Sequence, residues 1–367
     1  MPYLLMHHFD PDFDHTQLKP RLSGTGGGVD HYNMGYVQNV LAGQVLAEFA
    51  RITPEQAAGQ TRFVFETPDM PAGPGTMPDP ANPMKLLAAI SGYVFYMDGQ
   101  IRVHDQLNIR RDVSFHTGNV TFVGDIRVHG EVKSGFTLKG RNIQIDETVG
   151  GSTLVAKERI VCLGGIKGEK KAVLRAAHSL EAGFAENAQL VAGRLLHIKQ
   201  SVLHCQCYCG GDILVGGRLQ GGSTYCMGRL LVGNQLGGGA GTITQVVLGR
   251  NPFMLLKQDA IRQALDTIQL ELDSLAERRR EGPASSREFL PRQEQALARK
   301  AHLEQQLSAV QERLEAPGVL DRCELVVEGV VRPLVEISIG TAQLTVDTEM
   351  ERVRFRLVNG VVAVTAL

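Results

Sequence analysis

LVAGRLLHIKQSVLHCQCYCGGDILVGGRLQGGSTYCMGRLLVGNQL, residues 190–236, repeats itself every 17 residues. Leu196, Ile213 and Leu230 stand at equal steps, and each has an apolar partner two positions on, Ile198, Val215 and Val232. Residues i and i+2 of a strand face the same side, so each pair describes a short strand with one buried face. The same anchor recurs upstream at Ile126, Ile143, Ile160 and Leu180, and the steps from Ile126 to Leu230 are 17, 17, 20, 16, 17 and 17.

A second inward pair precedes most anchors by six and four residues: Val120/Phe122, Leu154/Ala156, Leu174/Ala176, Leu190/Ala192, Cys207/Cys209 and Thr224/Cys226. Thr137/Lys139 fits poorly at that place. A third inward position falls six residues after the anchor, at Val132, Val149, Ile166, Val202, Leu219 and Leu236, with Glu186 as the exception. Three short strands per repeat, divided by Gly, Asn, Asp and Lys, predict one coil of a parallel β-helix, and about seven coils over residues 108–250. A left-handed helix of hexapeptides wants a strict period near 18; the steps of 17 and the paired pattern argue against it.

With 367 residues, 43% hydrophobic, the chain can bury a large core. It carries 41 Gly and no Trp, which suits a repetitive solenoid with tight corners better than an aromatic-lined catalytic cleft. The 38 basic and 39 acidic residues nearly cancel, so nothing in the balance calls for nucleic acid or an anionic membrane. No apolar stretch reaches the roughly 18 residues of a membrane span, and the N-terminus lacks the basic and apolar regions of a signal peptide. Cytoplasm is therefore expected, and the six Cys read as reduced thiols.

Residues 1–26 are polar and read as a flexible leader; His7, His8, Asp10, Asp12, Asp14 and His15 could hold a metal, but a solvated tail is the preferred reading. The glycines at 24–28 lack the Lys-Ser or Lys-Thr of a phosphate loop. Residues 27–107 are β-rich and are expected to cap the first coil. They contain a Pro/Gly-rich connector at 68–83 and a hairpin around Asp98-Gly99. Residues 251–317 change character. Ile261, Leu265, Ile268, Leu272 and Leu275, then Leu303, Leu307, Val310 and Leu314, step by 4 and 3, with Gly282 to Ser286 between the two runs. This predicts an antiparallel helical hairpin, a coiled coil inserted between the β-helix and a final β segment, residues 318–367, that packs on the β-helix and covers its open end.

Cys205, Cys207 and Cys209 share one strand face, and Cys226 lies 17 residues beyond Cys209. Four sulfurs so placed could hold zinc or an iron–sulfur cluster. The same positions hold Leu and Ala in other coils, so a buried packing ladder is preferred and no cofactor is expected. His116, His129, His178 and His197 are scattered, and Asp125, Asp146 and Asp212 sit beside corners in different coils, where turn roles suffice. Arg278, Arg279 and Arg280, with Arg287 beyond the turn, form the one charge run; it reads as a solvated hairpin tip or as a site for an acidic partner.

Several phrases resemble a known family in order. Thr117 to Gly130, TGNVTFVGDIRVHG, is similar to its repeat signature; Gly164 to Gly168 and Gly221 to Ser223 are similar to its glycine corners; Thr242 to Pro252, TITQVVLGRNP, is similar to the segment before its helices. With Val29-Asp30 and Ala42 to Ala47, these phrases resemble the flagellar assembly protein A family over roughly residues 27–365. A fainter similarity links the β-helix to the C-terminal domain of the septum-site regulator MinC. The resemblance implies a cytoplasmic bacterial protein with a right-handed β-helix, no known catalysis, and a role in flagellar assembly or polar organisation. The part before Gly27 is short for that family, and the Pro-rich 68–83 stretch departs from its pattern.

The reading that joins these observations is a mainly β, non-enzymatic scaffold that presents a right-handed parallel β-helix and a coiled-coil arm to protein partners, flagellar or polar proteins or a second copy of itself. The alternatives from other classes are a metal- or cluster-binding module built on the Cys ladder and, third, a carbohydrate-active β-helix enzyme.

Overall fold

The structure, a computed structural model, describes residues 2–15, 17–18, 21–22, 29–30, 32–59, 62–239, 241–281, 286–314 and 318–367. The chain is mainly β, a parallel solenoid of about eight turns with two long helices, and divides into two compact units, Met1–Leu190 and Val191–Leu367.

The first unit opens with a sheet in which Tyr3–His7 lies between Val45–Arg51 and Val64–Phe65, followed outward by Asn82–Ala88 and Thr76–Asp79. The expectation of a flexible leader therefore fails for Tyr3–His7. Leu5 is buried with Leu46, Phe49 and Leu86, and that apolar contact outweighs the polar look of the flanking residues. The glycine run at 24–28 lies outside the described residues. A short helix α1, Pro54–Ala58, starts on a reciprocal cap in which Gln56 N–H donates to Thr53 Oγ1 and Thr53 N–H to Gln56 Oε1.

The hairpin expected around Asp98-Gly99 is present. Gly92–Met97 pairs with Gln100–His104, and the turn residues have φ of 52° and 76°, as a two-residue hairpin turn requires. The Pro-rich stretch is not a mere connector. Pro lacks an N–H but keeps its carbonyl, and Pro71 and Pro74 accept from the N–H groups of Ile101 and Val103, while Pro78 sits on an edge strand where no donor is needed.

The solenoid of this unit begins at Gln106–Ile109. Leu107, Ile126, Ile143, Ile160 and Leu180 pair in unbroken parallel register, the stack that the 17-residue spacing predicts. Each fully buried aliphatic side chain here contributes about 1.5–3 kcal/mol. Val113, Val132, Val149 and Ile166 form a second stack. The poor pair Thr137/Lys139 is a register shift of one. Val120 pairs with Leu138, so Leu138 and Gly140 face inward and the corner before Ile143 is one residue shorter than the corner before Ile126. Likewise Ala185 is buried in place of the misfit Glu186, which is partly exposed.

In the second unit Leu196, Ile213, Leu230 and Leu325 form one stack, and Val202, Leu219, Leu236 and Val331 another. Cys207, Thr224, Val246 and Ile337 form the third. The last stack shows where the helices enter. Cys226 pairs with Leu248 and Arg229 with Glu324, so Met227-Gly228 turn a corner that the next coil turns only after residues 249–323. The helical hairpin is thus inserted inside a coil, not between the β-helix and a separate final segment. The chain resumes the same coil on its return.

Helix α2, Pro252–Glu281, starts where Asn251 Oδ1 accepts from the N–H groups of Phe253 and Met254, with Pro at the first helical position. Its Ile261, Ile268 and Leu275 repeat at seven-residue spacing and are buried, as are Ala296 and Val310 of α3, Ser286–Gln311. Arg299 pairs with Glu271 at 3.0 Å, and Lys300 donates to Gln269 at 2.9 Å, so the arms run antiparallel. After Val335–Ile339 the ladder turns antiparallel: Ala342–Val346 folds back on it, Met350–Val358 pairs with Glu324–Val331, and Val361–Ala366 folds back on Met350–Val358.

Candidate functional site

The place where α2 leaves the solenoid gathers the chemistry of the second unit. On Ser201–Cys209 and Arg218–Cys226, inward Cys207, Cys209 and Cys226 alternate with outward Tyr208 and Tyr225. Strand alternation and the 17-residue period set the two tyrosines one above the other. Their rings stack at 4.9 Å with planes 17° apart, and Tyr208 donates its hydroxyl to Asp259 of α2 at 3.4 Å. Tyr208 is 2% exposed, and burial, with the neighbouring Tyr225 and Asp259, pushes its phenol above the usual range, so the hydroxyl stays a donor. Ser223 Oγ and Tyr225 Oη donate to Gln245, at 3.1 and 3.5 Å.

Cys205, Cys207, Cys209 and Cys226 are all buried and outside any disulfide, and Cys226 pairs directly with Cys209. Cys207 pairs with Thr224 and Cys205 with Gly222, so the next coil offers one sulfur to the ladder. The thiols meet backbone carbonyls: Cys226 donates to Gly211 at 2.8 Å, Cys209 to Asp212 at 3.2 Å and Cys205 to Leu203 at 3.4 Å. Burial pushes the Cys207 and Cys226 thiols well up and that of Cys209 to about 11. These thiols are protonated at neutral pH. Among the described residues no group of three or more His, Cys, Asp or Glu is placed to hold a metal.

Beside this ladder a cleft of about 640 Å³ opens at the corner of the insertion, lined by Asp212, Arg229, Asp321, Arg322, Glu324 and Arg356. Asp212 holds Arg229 at 3.2 Å, and Glu324 holds Arg356 at 2.6 Å. Cys323 closes the return of the hairpin and donates to Met227 and Val319. Arg278, Arg279 and Arg280 lie on α2 and Arg287 on α3, and their side chains lie outside the described residues.

In the first unit, Asp125 binds Arg141 at 2.7 Å and Asn142, and Asp146 binds Arg127 at 3.2 Å and His129 at 2.8 Å. The Arg141 guanidinium draws the Asp125 carboxyl below its ordinary range, and a hydrogen bond from Gln144, with Arg127 and His129, does the same for Asp146. A glycosidase acid needs a carboxyl shifted the other way.

Sequence reasoning located the Cys ladder but passed over Tyr208 and Tyr225, although their spacing of 17 and their place between inward residues mark them as stacked and outward. Asp259 had no signal, because its meeting with Tyr208 depends on the angle at which α2 departs. No helix among the described residues is long and apolar enough to cross a membrane. No curated protein and no solved structure matches the chain. The β-solenoid domain of Flagellar Assembly Protein A matches residues 105–362, a span that takes in both the solenoid coils and the inserted hairpin, and the chain belongs to that family, FapA.

Proposed function

We propose that this chain is a non-enzymatic cytoplasmic scaffold of flagellar assembly or polar organisation, in which a right-handed solenoid holds a coiled-coil arm for a protein partner. The observation that carries this reading is the insertion of α2 and α3 within one coil corner, tied at its root by Tyr208 and Asp259. The arm hides one apolar seam and leaves others out: Leu270 is 70% exposed, Leu290 50% and Leu297 48%. Leu290 and Leu297 stand seven residues apart on α3, so they share a face, the spacing by which a further helix packs. The family is one of flagellar assembly, which favours a protein as the occupant of that face. An acidic segment on the partner would meet Arg278, Arg279, Arg280 and Arg287.

The test is complementation in a host deleted for the gene. The intact chain restores flagella, and a chain in which Leu248 is joined to Glu324 by two residues does not, although it accumulates to the same level. Equal restoration by both chains would remove the arm from the function.

A further inference from the structure

In the first unit, where the hairpin of Gly92–Met97 and Gln100–His104 meets the first coil, two hollows of about 390 and about 1050 Å³ adjoin. Tyr36, Tyr93 and Asn108 line both. The smaller hollow is aromatic, with Phe13 and Phe95 beside the two tyrosines. Strand alternation sets Tyr93 and Phe95 on one face of the hairpin. Their rings stack at 5.4 Å with planes 25° apart, and His104 stands edge-on to both. The larger hollow carries cations instead: Arg110, Arg111 and His116 line it.

Arg110 and Arg111 directly follow Gln106–Ile109, the first strand of the solenoid, so the first coil delivers both to the cleft. Both are exposed, and among the described residues neither forms an ion pair. The carboxylate next to them, Asp112, is engaged elsewhere. Lys133 holds it at 3.1 Å, and Glu131 N–H donates to it at 3.0 Å. Counting Glu131, the second partner of Lys133, the three cations Arg110, Arg111 and Lys133 face two carboxylates, so the surplus is positive. Two adjacent guanidiniums repel each other, and an anion set between them relieves that repulsion.

We infer that this cleft binds a nucleotide, with its base against Tyr36 and Tyr93 and its phosphates on Arg110 and Arg111. A ligand that fills both hollows must be flat and apolar at one end and anionic at the other. Bases stack on aromatic rings through their π-faces, and guanidiniums grip phosphate oxygens in pairs. Asn108 borders both halves, and its amide offers a donor and an acceptor to a ribose hydroxyl or a base edge. Its Oδ1 takes only a long bond of 3.5 Å from Gln106. A small aromatic acid would leave the larger hollow to water, and a lone phosphate would leave the smaller one. The combined space lies in the range that holds ligands of nucleotide size. Every residue named belongs to the first unit, so the inference stands apart from the role of the arm.

The experiment is calorimetric titration of the full chain with ATP, GTP, CTP and UTP, each beside its nucleoside and beside tripolyphosphate. The expected result is that at least one triphosphate binds about tenfold or more tighter than either half alone. Arg111→Gln removes a guanidinium from an exposed position, and Tyr36→Leu removes a ring but keeps an apolar body. Each should weaken that binding about tenfold or more. Absence of binding by all four triphosphates overturns the inference. So does tripolyphosphate that binds as tightly as the nucleotides, or nucleotide binding that either variant leaves unchanged. Should Tyr36→Leu fail to fold, Arg111→Gln and the comparison with tripolyphosphate decide.

Discussion

Tyr208 on the outer face of the solenoid donates its hydroxyl to Asp259 of α2 at 3.4 Å, a side-chain hydrogen bond that joins its coil to the arm inserted two coils further on. Tyr208→Phe keeps the stack on Tyr225 and deletes that bond, at a cost of about 0.5–1.5 kcal/mol. The cost should fall on the root of the arm, as faster amide exchange in the first turns of α2 with little change in the solenoid strands. Unchanged exchange would mean that packing, not the hydroxyl, sets the arm.

Ile160 is fully buried between Ile143 and Leu180 in the inner stack. Ile160→Val should cost about 0.5–1.5 kcal/mol in a denaturant titration. Ile160→Asp places a carboxylate among aliphatic neighbours and should cost several kcal/mol or prevent folding. A small effect of the Asp variant would contradict the register.

Gly222 has φ of +75°, and a Cβ on it would lie 2.1 Å from the Cys205 carbonyl oxygen of the coil it pairs with. Gly43 has a similar φ of +83° but open space around it. Gly43→Ala should therefore show backbone strain alone, about 1–3 kcal/mol, and Gly222→Ala that strain plus the displacement of a neighbouring coil. Thermal melts of the two variants should differ in that order.

The corner that holds the hairpin is matched, one coil earlier, by the two residues Met227-Gly228. A chain in which two residues replace 249–323 should keep the strand signal in circular dichroism, lose the helical signal and still melt cooperatively. Loss of the fold would make the hairpin part of the core, and the complementation test above would need a milder change.

Burial raises the Cys162 thiol from an ordinary value of 9.0 to about 12, and those of Cys209 and Cys323 to about 11. A raised folded value means the folded state holds its proton more tightly. The stability this represents is complete below pH 9 and is lost as pH rises toward 11 to 12. Melting temperature should fall across that window, and Cys162→Ala should flatten part of the fall. Protein purified without chelator gives the companion measurement: stoichiometric zinc or iron, released by Cys207→Ala, would revive the metal reading of the ladder.

The stacks were legible in the sequence because strand geometry is local. A side chain two residues along returns to the same face, and a coil of nearly constant length returns it to the same column, so Leu196, Ile213 and Leu230 declare their register unaided. Where the count slipped, at Thr137/Lys139 and Glu186, one corner had lost or gained a residue, and a fixed period cannot see that. The Tyr3–His7 strand was missed because five residues among His, Asp and Pro carry too short an alternation to stand out.

Taken alone, the sequence determined the coils, the heptads of the arm and the burial of the cysteines, since each is a periodicity within one element. Tertiary structure alone decided that the arm leaves from inside a coil and that Tyr208 meets Asp259. Each of these depends on which distant strand lies alongside, and pairing across such separations is set by the packed whole and not by any local pattern.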